Sequence, residues 1–185
     1  PLLTQYFNWI GGALTGDLGV SFRSGRPVTL MIVERLPATL SLAGGALLVA
    51  LLLAVPLGIV SAVRQGSLLD YAATAFSQAG ISVPDFWMGI LLILFFGLQL
   101  DLLPPSGYVP LMESPGRWLL HLVLPAVTVG VVSGSIITRF VRSSMLEVAQ
   151  LDFVRTARAK GLSRNKVTIA HVLRNALLPV VTILG

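Results

Sequence analysis

Residues 142–179 read RSSMLEVAQLDFVRTARAKGLSRNKVTIAHVLRNALLP. The stretch is basic and helix-prone, it is interrupted by a single Gly161, and it lies between two apolar runs. Eight of the 13 Lys and Arg residues fall within 139–174, against only Glu147 and Asp152 among the acids. A charged segment of this length in an otherwise apolar chain indicates a loop that leaves the bilayer to contact a partner in water.

The composition places the chain in a membrane. Hydrophobic residues make up 55% of the sequence and charged residues 11%, whereas soluble domains carry about 25% charged residues. So few charges cannot cover a globule of this size with polar surface. The chain has no cysteine, which excludes disulfides, thiolate metal sites and cysteine nucleophiles.

Gaps between charged residues define the membrane spans, because a crossing helix needs ~20 predominantly apolar residues. They predict an all-α, polytopic transmembrane helix bundle. Its predicted parts are an outward-facing (periplasmic) segment 1–35 and a transmembrane domain 36–185. Within that domain the predicted spans lie at about 36–63, 71–100, 118–140 and 172–185, and a cytoplasmic loop lies at 141–171. The last apolar run is too short to cross a ~30 Å core. We therefore expect the chain to be a fragment, with its fourth span incomplete.

The distribution of cations predicts the orientation. Loops 64–70 and 139–174 must share one side of the membrane, and 1–35 and 101–117 the other. The first pair holds nine Lys and Arg residues and the second pair four. Since positive residues are retained on the cytoplasmic side, loop 139–174 is predicted to lie inside the cell.

The second span is predicted to be irregular. Pro84 removes a backbone donor and favours a kink. Asp85 follows it, and an ionisable residue at membrane depth is a candidate for the transport pathway. The alternative, which we favour, is that Asp85 caps the helix segment after the break.

The third span contains Gly130 and Gly134, separated by three residues. Such a small-xxx-small pattern lets two helices approach closely. It predicts that this face of the span packs against protein rather than lipid.

The basic stretch itself predicts a helical hairpin. Apolar residues recur at spacings of three and four through 142–160, as on one amphipathic helix. Gly161 permits a left-handed C-cap, and Ser163 is a plausible N-cap for a second helix that runs to Pro179. The open alternative is a basic helix lying on anionic lipid. Nucleic-acid binding is discounted, because so short a hairpin tethered at both ends could hardly enter a groove.

At these residues the chain resembles the binding-protein-dependent ABC transporter permeases, and most closely their dipeptide/oligopeptide/nickel branch. The same branch is resembled by GDLGVSFRSGRPV at 16–28, ERLPATLSLA at 34–43 and ISVPDFWMGILLILFF at 81–96. The resemblance implies a MetI-like permease fold, in which loop 141–171 is a coupling helix seated in a groove of a cytoplasmic ATPase.

The family's loop carries Glu-Ala-Ala, then a Gly, then a Leu-Pro. Thr156, Ala157 and Ala159 stand in the small-residue region, Gly161 matches the Gly, and Pro179 ends the Leu-Pro. Arg155-Thr156 stand where the family has Glu. The ATPase-docking residues implied by the resemblance are Arg155, Thr156, Ala157, Arg158, Ala159, Lys160, Gly161, Leu162, Arg164 and Pro179.

The resemblance also implies the partners and the setting. The permease would pair with a second permease subunit, two cytoplasmic ATP-binding subunits and an extracytoplasmic solute-binding protein. It would lie in the lipid bilayer of a bacterial or archaeal cytoplasmic (inner) membrane as a multi-pass protein. The transported solute would be a peptide or a related small solute such as nickel.

The residues themselves predict no enzyme. The sequence has no GxxxxGK[ST] loop for phosphates, no plausible Ser, His and acid set, and no His/Asp/Glu cluster with metal-ligand spacing. We expect no cofactor and no metal, and ATP hydrolysis in a separate subunit. The alternative function is an ion-coupled secondary transporter or channel subunit, for which Asp85 is the candidate residue. A non-transporting membrane anchor is the third class.

Overall fold

The structure is a computed structural model that describes residues 1–184, and the side chains of residues 1–182. It confirms the all-α class, since within that range the extended pairing is an isolated β-bridge between Val20 and Pro27. The helices are α1 (Leu2–Leu14), α2 (Val28–Val63), α3 (Leu68–Ser82), α4 (Asp85–Leu92), α5 (Pro115–Val148), α6 (Asp152–Ala159) and α7 (residues 164–184). By length and composition α2 and α5 can each cross a membrane, and α3 and α4 can do so together as one bent span.

The outward segment predicted at 1–35 contains more helix than expected. Helix α1 occupies its beginning, and α2 already starts at Val28 after Pro27. At 36 residues, α2 is ~54 Å long, which exceeds the ~30 Å hydrocarbon core. The helix therefore extends outside the lipid, and the predicted boundary at 36 concerns the membrane surface rather than the helix end.

The second span is two helices joined by a sharp bend. Helices α3 and α4 meet at 99°, and α4 continues as a π-helical segment, Ile93–Gln99. Val83 between them is extended (φ −88°, ψ 122°), because the ring of Pro84 disfavours helical geometry in the preceding residue. The break thus falls where the sequence predicts a kink.

Helices α2 and α5 run parallel and form the centre of the bundle. A Cβ on Gly130 would lie 2.6 Å from Cβ of Val49, and one on Gly134 would lie 3.2 Å from Cα of Ala50. Further along, a Cβ on Gly58 of α2 would lie 2.6 Å from Cβ of Val141. Small residues along this contact let the two backbones approach closely, and Gly130 and Gly134 are both buried against α2.

The predicted continuous helix 142–160 is wrong. Helix α5 ends at Val148, a turn follows, and α6 begins at Asp152 after the extended Leu151 (ψ 150°). The physical reason is burial. A straight helix would carry its apolar residues away from the bundle, whereas the turn brings Val154 back against the bundle core.

We call α6, the turn at Gly161 and the start of α7 the elbow (residues 152–166). Helix α7 is α-helical at Arg164–Lys166, π-helical at Val167–Leu173 and α-helical again at Arg174–Leu184. Ser163 stands at its N-cap, as predicted, but its side chain makes no capping hydrogen bond. Buried residues of α2, α5, α6 and α7 form one apolar core, so the elbow is packed onto the spans rather than loosely tethered.

Candidate functional site

The elbow has a basic surface, and its two helical parts are joined by a turn at a single glycine. Gly161 has φ +79°, the left-handed region that favours glycine, and a Cβ there would have nothing within 4 Å. At this position the backbone conformation favours glycine, whereas the surrounding space would admit a side chain. The exposed residues of the elbow include Arg155, Thr156, Arg158, Ala159, Lys160 and Gly161.

The exposed surface of the elbow carries a net positive charge. Arg155 lies 3.4 Å from Asp152 one turn earlier, and both side chains are exposed. Within residues 1–182, no salt bridge is formed by Arg158 or by Lys160. A surface of this kind can align with an acidic partner, and such rim charges set orientation more than strength.

Three of the residues predicted to dock a partner are placed differently. Ala157 is 6% exposed and belongs to the bundle core together with Val154. Leu162 is half-buried and packs against the same core. Pro179 lies inside α7, ~22 Å along the helix from Arg164, so it is not part of the elbow surface.

Arg164 also makes a contact that the sequence did not predict. Its Nη2 donates to the carbonyl oxygen of Val63 at 3.0 Å. Val63 is the last residue of α2, where carbonyl groups have no partner within the helix and attract cations. The elbow is thus hydrogen-bonded to the end of α2.

Beside the elbow lies a partly buried polar cluster that sequence reasoning missed. Nε of Arg142 donates to Oδ1 of Asp70 at 2.8 Å, and Nη2 donates to Oδ2 at 3.0 Å. The Ser61 hydroxyl also donates to Oδ1, and the Gly66 amide donates to Oδ2 at 2.9 Å. We call these residues the clasp (Ser61, Gly66, Asp70 and Arg142), because they join the end of α2, the start of α3 and the last part of α5.

The sequence held a weak signal for the clasp. Asp70 and Arg142 flank different spans, and the predicted topology puts both on the same membrane side. The two residues are far apart in the sequence, so the sequence does not show that they pair. Each was interpreted only as a charged residue that ends an apolar span. Asp70 is only 5% exposed, and a buried charge needs a partner and further hydrogen bonds.

Asp85, which the sequence indicated as a candidate for the transport pathway, makes fewer contacts than Asp70. Asp85 is exposed, and its Oδ1 accepts a hydrogen bond from the Phe86 amide at 2.8 Å in the first turn of α4. Within the described side chains it forms no salt bridge. This environment favours helix capping over proton or ion coupling.

Among the described residues, no group of three or more His, Cys, Asp or Glu side chains is placed so that it could hold a metal ion. His121 lies near the start of α5, with Nδ1 2.8 Å from the Arg117 carbonyl oxygen. This local contact accounts for the histidine.

Comparison with known proteins gives a consistent result. Residues 54–185 match the family model described as "Binding-protein-dependent transport system inner membrane component". The dipeptide transport system permease protein DppB of Escherichia coli strain K12 is 38% identical over 208 residues, which cover 100% of this chain and 61% of that protein.

Two further relatives agree with this result. The oligopeptide transport system permease protein AppB of Bacillus subtilis strain 168 is 41% identical over 188 residues, covering 100% of this chain and 60% of that protein. A putative peptide transport system permease protein of Brucella suis biovar 1 is 39% identical over 185 residues, covering 100% and 59%. The chain thus spans about three fifths of the length of the curated relatives it matches.

Proposed function

Because the chain belongs to the family of binding-protein-dependent transport system inner membrane components, we propose that it acts in the membrane-spanning permease subunit of an ATP-driven ABC importer. The solute is a peptide or a related small solute such as nickel. The observation that carries the proposal is the elbow: a rigid, basic surface projects from the spans and shares their apolar core.

The elbow meets the physical needs of a force-transmitting contact. An ATPase that moves the spans must bind an element that keeps its position relative to them. Val154 and Ala157 pack α6 into the core formed by α2, α5 and α7. The exposed cations provide register on an acidic partner. Most of the binding energy would come from apolar contacts at the centre of the interface, for which the elbow offers half-buried Leu162 and exposed Phe153.

The proposed docking surface is narrower than the sequence suggested. Direct contact with the ATPase is assigned to the exposed residues Arg155, Thr156, Arg158, Ala159, Lys160 and Gly161 with Leu162 at their edge. Ala157 serves by packing. Arg164, exposed but bonded to Val63, lies at the border between the docking surface and the bundle.

The remaining partners and the setting are part of the same proposal. The protein lies in a bacterial or archaeal inner membrane, pairs with a second permease subunit and lines half of a translocation path. Segments 1–35 and 101–117 face outward and offer the surface for a solute-binding protein. ATP hydrolysis occurs in the separate cytoplasmic subunits, whose closure shifts the population between inward-open and outward-open states.

Introduced cysteines test the orientation and the docking together. These 185 residues contain no cysteine, so Lys160→Cys provides a specific label site once any cysteines elsewhere in the full-length protein are replaced. We expect a membrane-impermeant maleimide to label Lys160→Cys in inverted vesicles but not in intact spheroplasts, and bound ATPase to protect it. Ser24→Cys, exposed in the outward segment, is the matched control and should show the opposite accessibility. Labelling of Lys160→Cys in spheroplasts would overturn the proposal.

A further inference from the structure

The Arg164 contact joins the elbow to the end of α2, and two residues earlier on α2 the clasp joins that helix to α3 and α5. We propose that Asp70, Arg142 and Arg164 are positioning residues, which make the elbow and the ends of α2, α3 and α5 move as one body. The inference rests on the proposed function, because it assigns the route by which the elbow's displacement reaches the spans.

The first step of the argument is the geometry of Asp70. Its carboxylate accepts four hydrogen bonds, from Ser61, from the Gly66 amide and twice from Arg142. The two bonds from Arg142 use both carboxylate oxygens, and paired N–H donors of this kind fix orientation as well as distance. Asp70 therefore holds the α2–α3 turn and α5 in a single relative position.

The second step is the place of the clasp along α5. Arg142 lies one turn before Met145, which is buried in the same core as Val154 of the elbow. The side chain that holds α3 and a side chain of the core that α6 shares are thus neighbours on one helix. A displacement of the elbow reaches Arg142 through packed atoms.

The third step is the contact across the gap between the elbow and α2. A small cavity lined by Ala62, Val63, Met145, Arg158 and Arg164 lies there. The Arg164 guanidinium reaches the Val63 carbonyl oxygen, two residues after Ser61 of the clasp. Arg164 thus supplies a polar connection to α2 where apolar packing is incomplete.

These contacts imply more than stability. Breaking one partner of a buried pair leaves an uncompensated charge, whereas neutralising both partners with similar shapes removes that penalty. A neutral pair of amides can restore folding, but it cannot restore the stiff two-point bond between α3 and α5. Folding and transmission are therefore separable by experiment.

The main test uses full-length permease assembled with its partner subunits in proteoliposomes. We expect Asp70→Asn and Arg142→Gln each to impair assembly, and the double variant to assemble again. The double variant should nevertheless move about tenfold less peptide per ATP hydrolysed, which corresponds to a loss of about 1.4 kcal/mol of coupling. Arg139→Gln, one turn away on α5 and free of salt bridges in the described side chains, is the control and should keep the wild-type ratio.

An assembled double variant with the wild-type ratio of peptide moved to ATP hydrolysed would overturn the proposal, because the clasp would then serve stability alone. If the double variant fails to assemble, Arg164→Met provides a second test of the proposal. Arg164 is exposed, so its replacement should leave the permease folded, and in complexes that retain the bound ATPase it should lower the ratio about threefold. The control is Arg174→Gln, an exposed cation on α7 outside the elbow, and an unchanged ratio in Arg164→Met would also reject the link.

A second measurement separates this inference from the proposed function. In isolated full-length permease, Asp70→Asn and Arg164→Met should shift the unfolding midpoint non-additively, although the two side chains do not touch. Residues without shared partners are expected to be additive. Additive shifts would overturn the link whether or not the complex transports, whereas absence of ATP-driven uptake by the wild type would count against the proposed function.

Discussion

The two halves of the bent span each carry an aspartate in the first helical turn, and the two aspartates have opposite environments. Asp70 lies in the first turn of α3 and Asp85 in the first turn of α4. Asp70 is 5% exposed and accepts hydrogen bonds from groups on α2, the α2–α3 turn and α5. Asp85 is exposed and accepts only from the adjacent amide of Phe86 among the described contacts. A carboxylate near a helix start is thus structural or incidental according to whether a neighbouring helix presents a cation.

The glycines of the two halves show the same contrast. A Cβ on Gly80 of α3 would lie 2.6 Å from Cβ of Ser135, which is closer than real Cβ atoms approach. A Cβ on Gly89 of α4 would lie 3.4 Å from Cγ2 of Thr128, an ordinary contact. At Gly80, helix α3 is therefore packed too closely against α5 to admit a side chain, whereas α4 has room for one at Gly89.

The largest predicted difference concerns the two carboxylates. Asp70→Ala leaves Arg142 partly buried without its partner, and we expect it to lower the free energy of unfolding by about 3 kcal/mol. Asp85→Ala removes one exposed contact and should cost at most about 1 kcal/mol. Unfolding of full-length protein in lipid nanodiscs measures both. Equal losses would mean that burial does not distinguish these two acids.

The two glycines provide the next test. Gly80→Ala should destabilise the protein by about 2 kcal/mol, because α3 must move away from Ser135. Gly89→Ala should be neutral or stabilising by up to about 1 kcal/mol, since alanine is the better helix former and the space is available. Both are read from the same unfolding experiment. A stabilising Gly80→Ala would show that α3 is not packed so closely against α5.

The elbow glycine, Gly161, distinguishes the effect of backbone conformation from the effect of available space. Gly161→Val should cost about 1–2 kcal/mol, because a β-branched residue is strained at φ +79° although no atom blocks it. Gly161→Asn should cost less than about 1 kcal/mol, because asparagine tolerates left-handed geometry. The ratio of uptake to ATP hydrolysis should fall in the same order. Indistinguishable variants would indicate that the turn is not held in this conformation.

The smallest effect is expected at the exposed ion pair near the start of α2. Arg26 and Glu34 lie 2.6 Å apart, with side chains 49% and 47% exposed. Arg26→Gln should change the free energy of unfolding by at most about 0.5 kcal/mol, and this difference should disappear at high salt. Arg142→Gln, measured under the same conditions, should retain most of its effect. A salt-insensitive loss for Arg26→Gln would show that exposure does not govern the two pairs.

Several features followed from local sequence because their causes are local. Pro84 cannot continue a helix and disturbs the residue before it, so the break was predictable at that point. Gly161 sits between an apolar periodicity and a serine, which predicted the turn and its left-handed glycine. The spacing of Gly130 and Gly134 predicted close helix contact, and the structure places both against α2.

Other features depended on contacts between distant residues. The turn after Val148 replaced the predicted straight helix, because Val154 and Ala157 gain burial by returning to the core. Pro179 stood in the motif but lies inside α7, away from the elbow surface. The order of residues along the chain does not show which of them lie close together in space.

The sequence by itself determined the membrane class, the break at Pro84, the basic elbow at Gly161 and the family resemblance, because composition, backbone restriction and motif spacing act on neighbouring residues. Only the tertiary structure decided that Asp70 meets Arg142 and that Arg164 meets the end of α2. Those pairings depend on the packing of α2, α3 and α5, and a buried charge is satisfied by whichever partner that packing brings within reach.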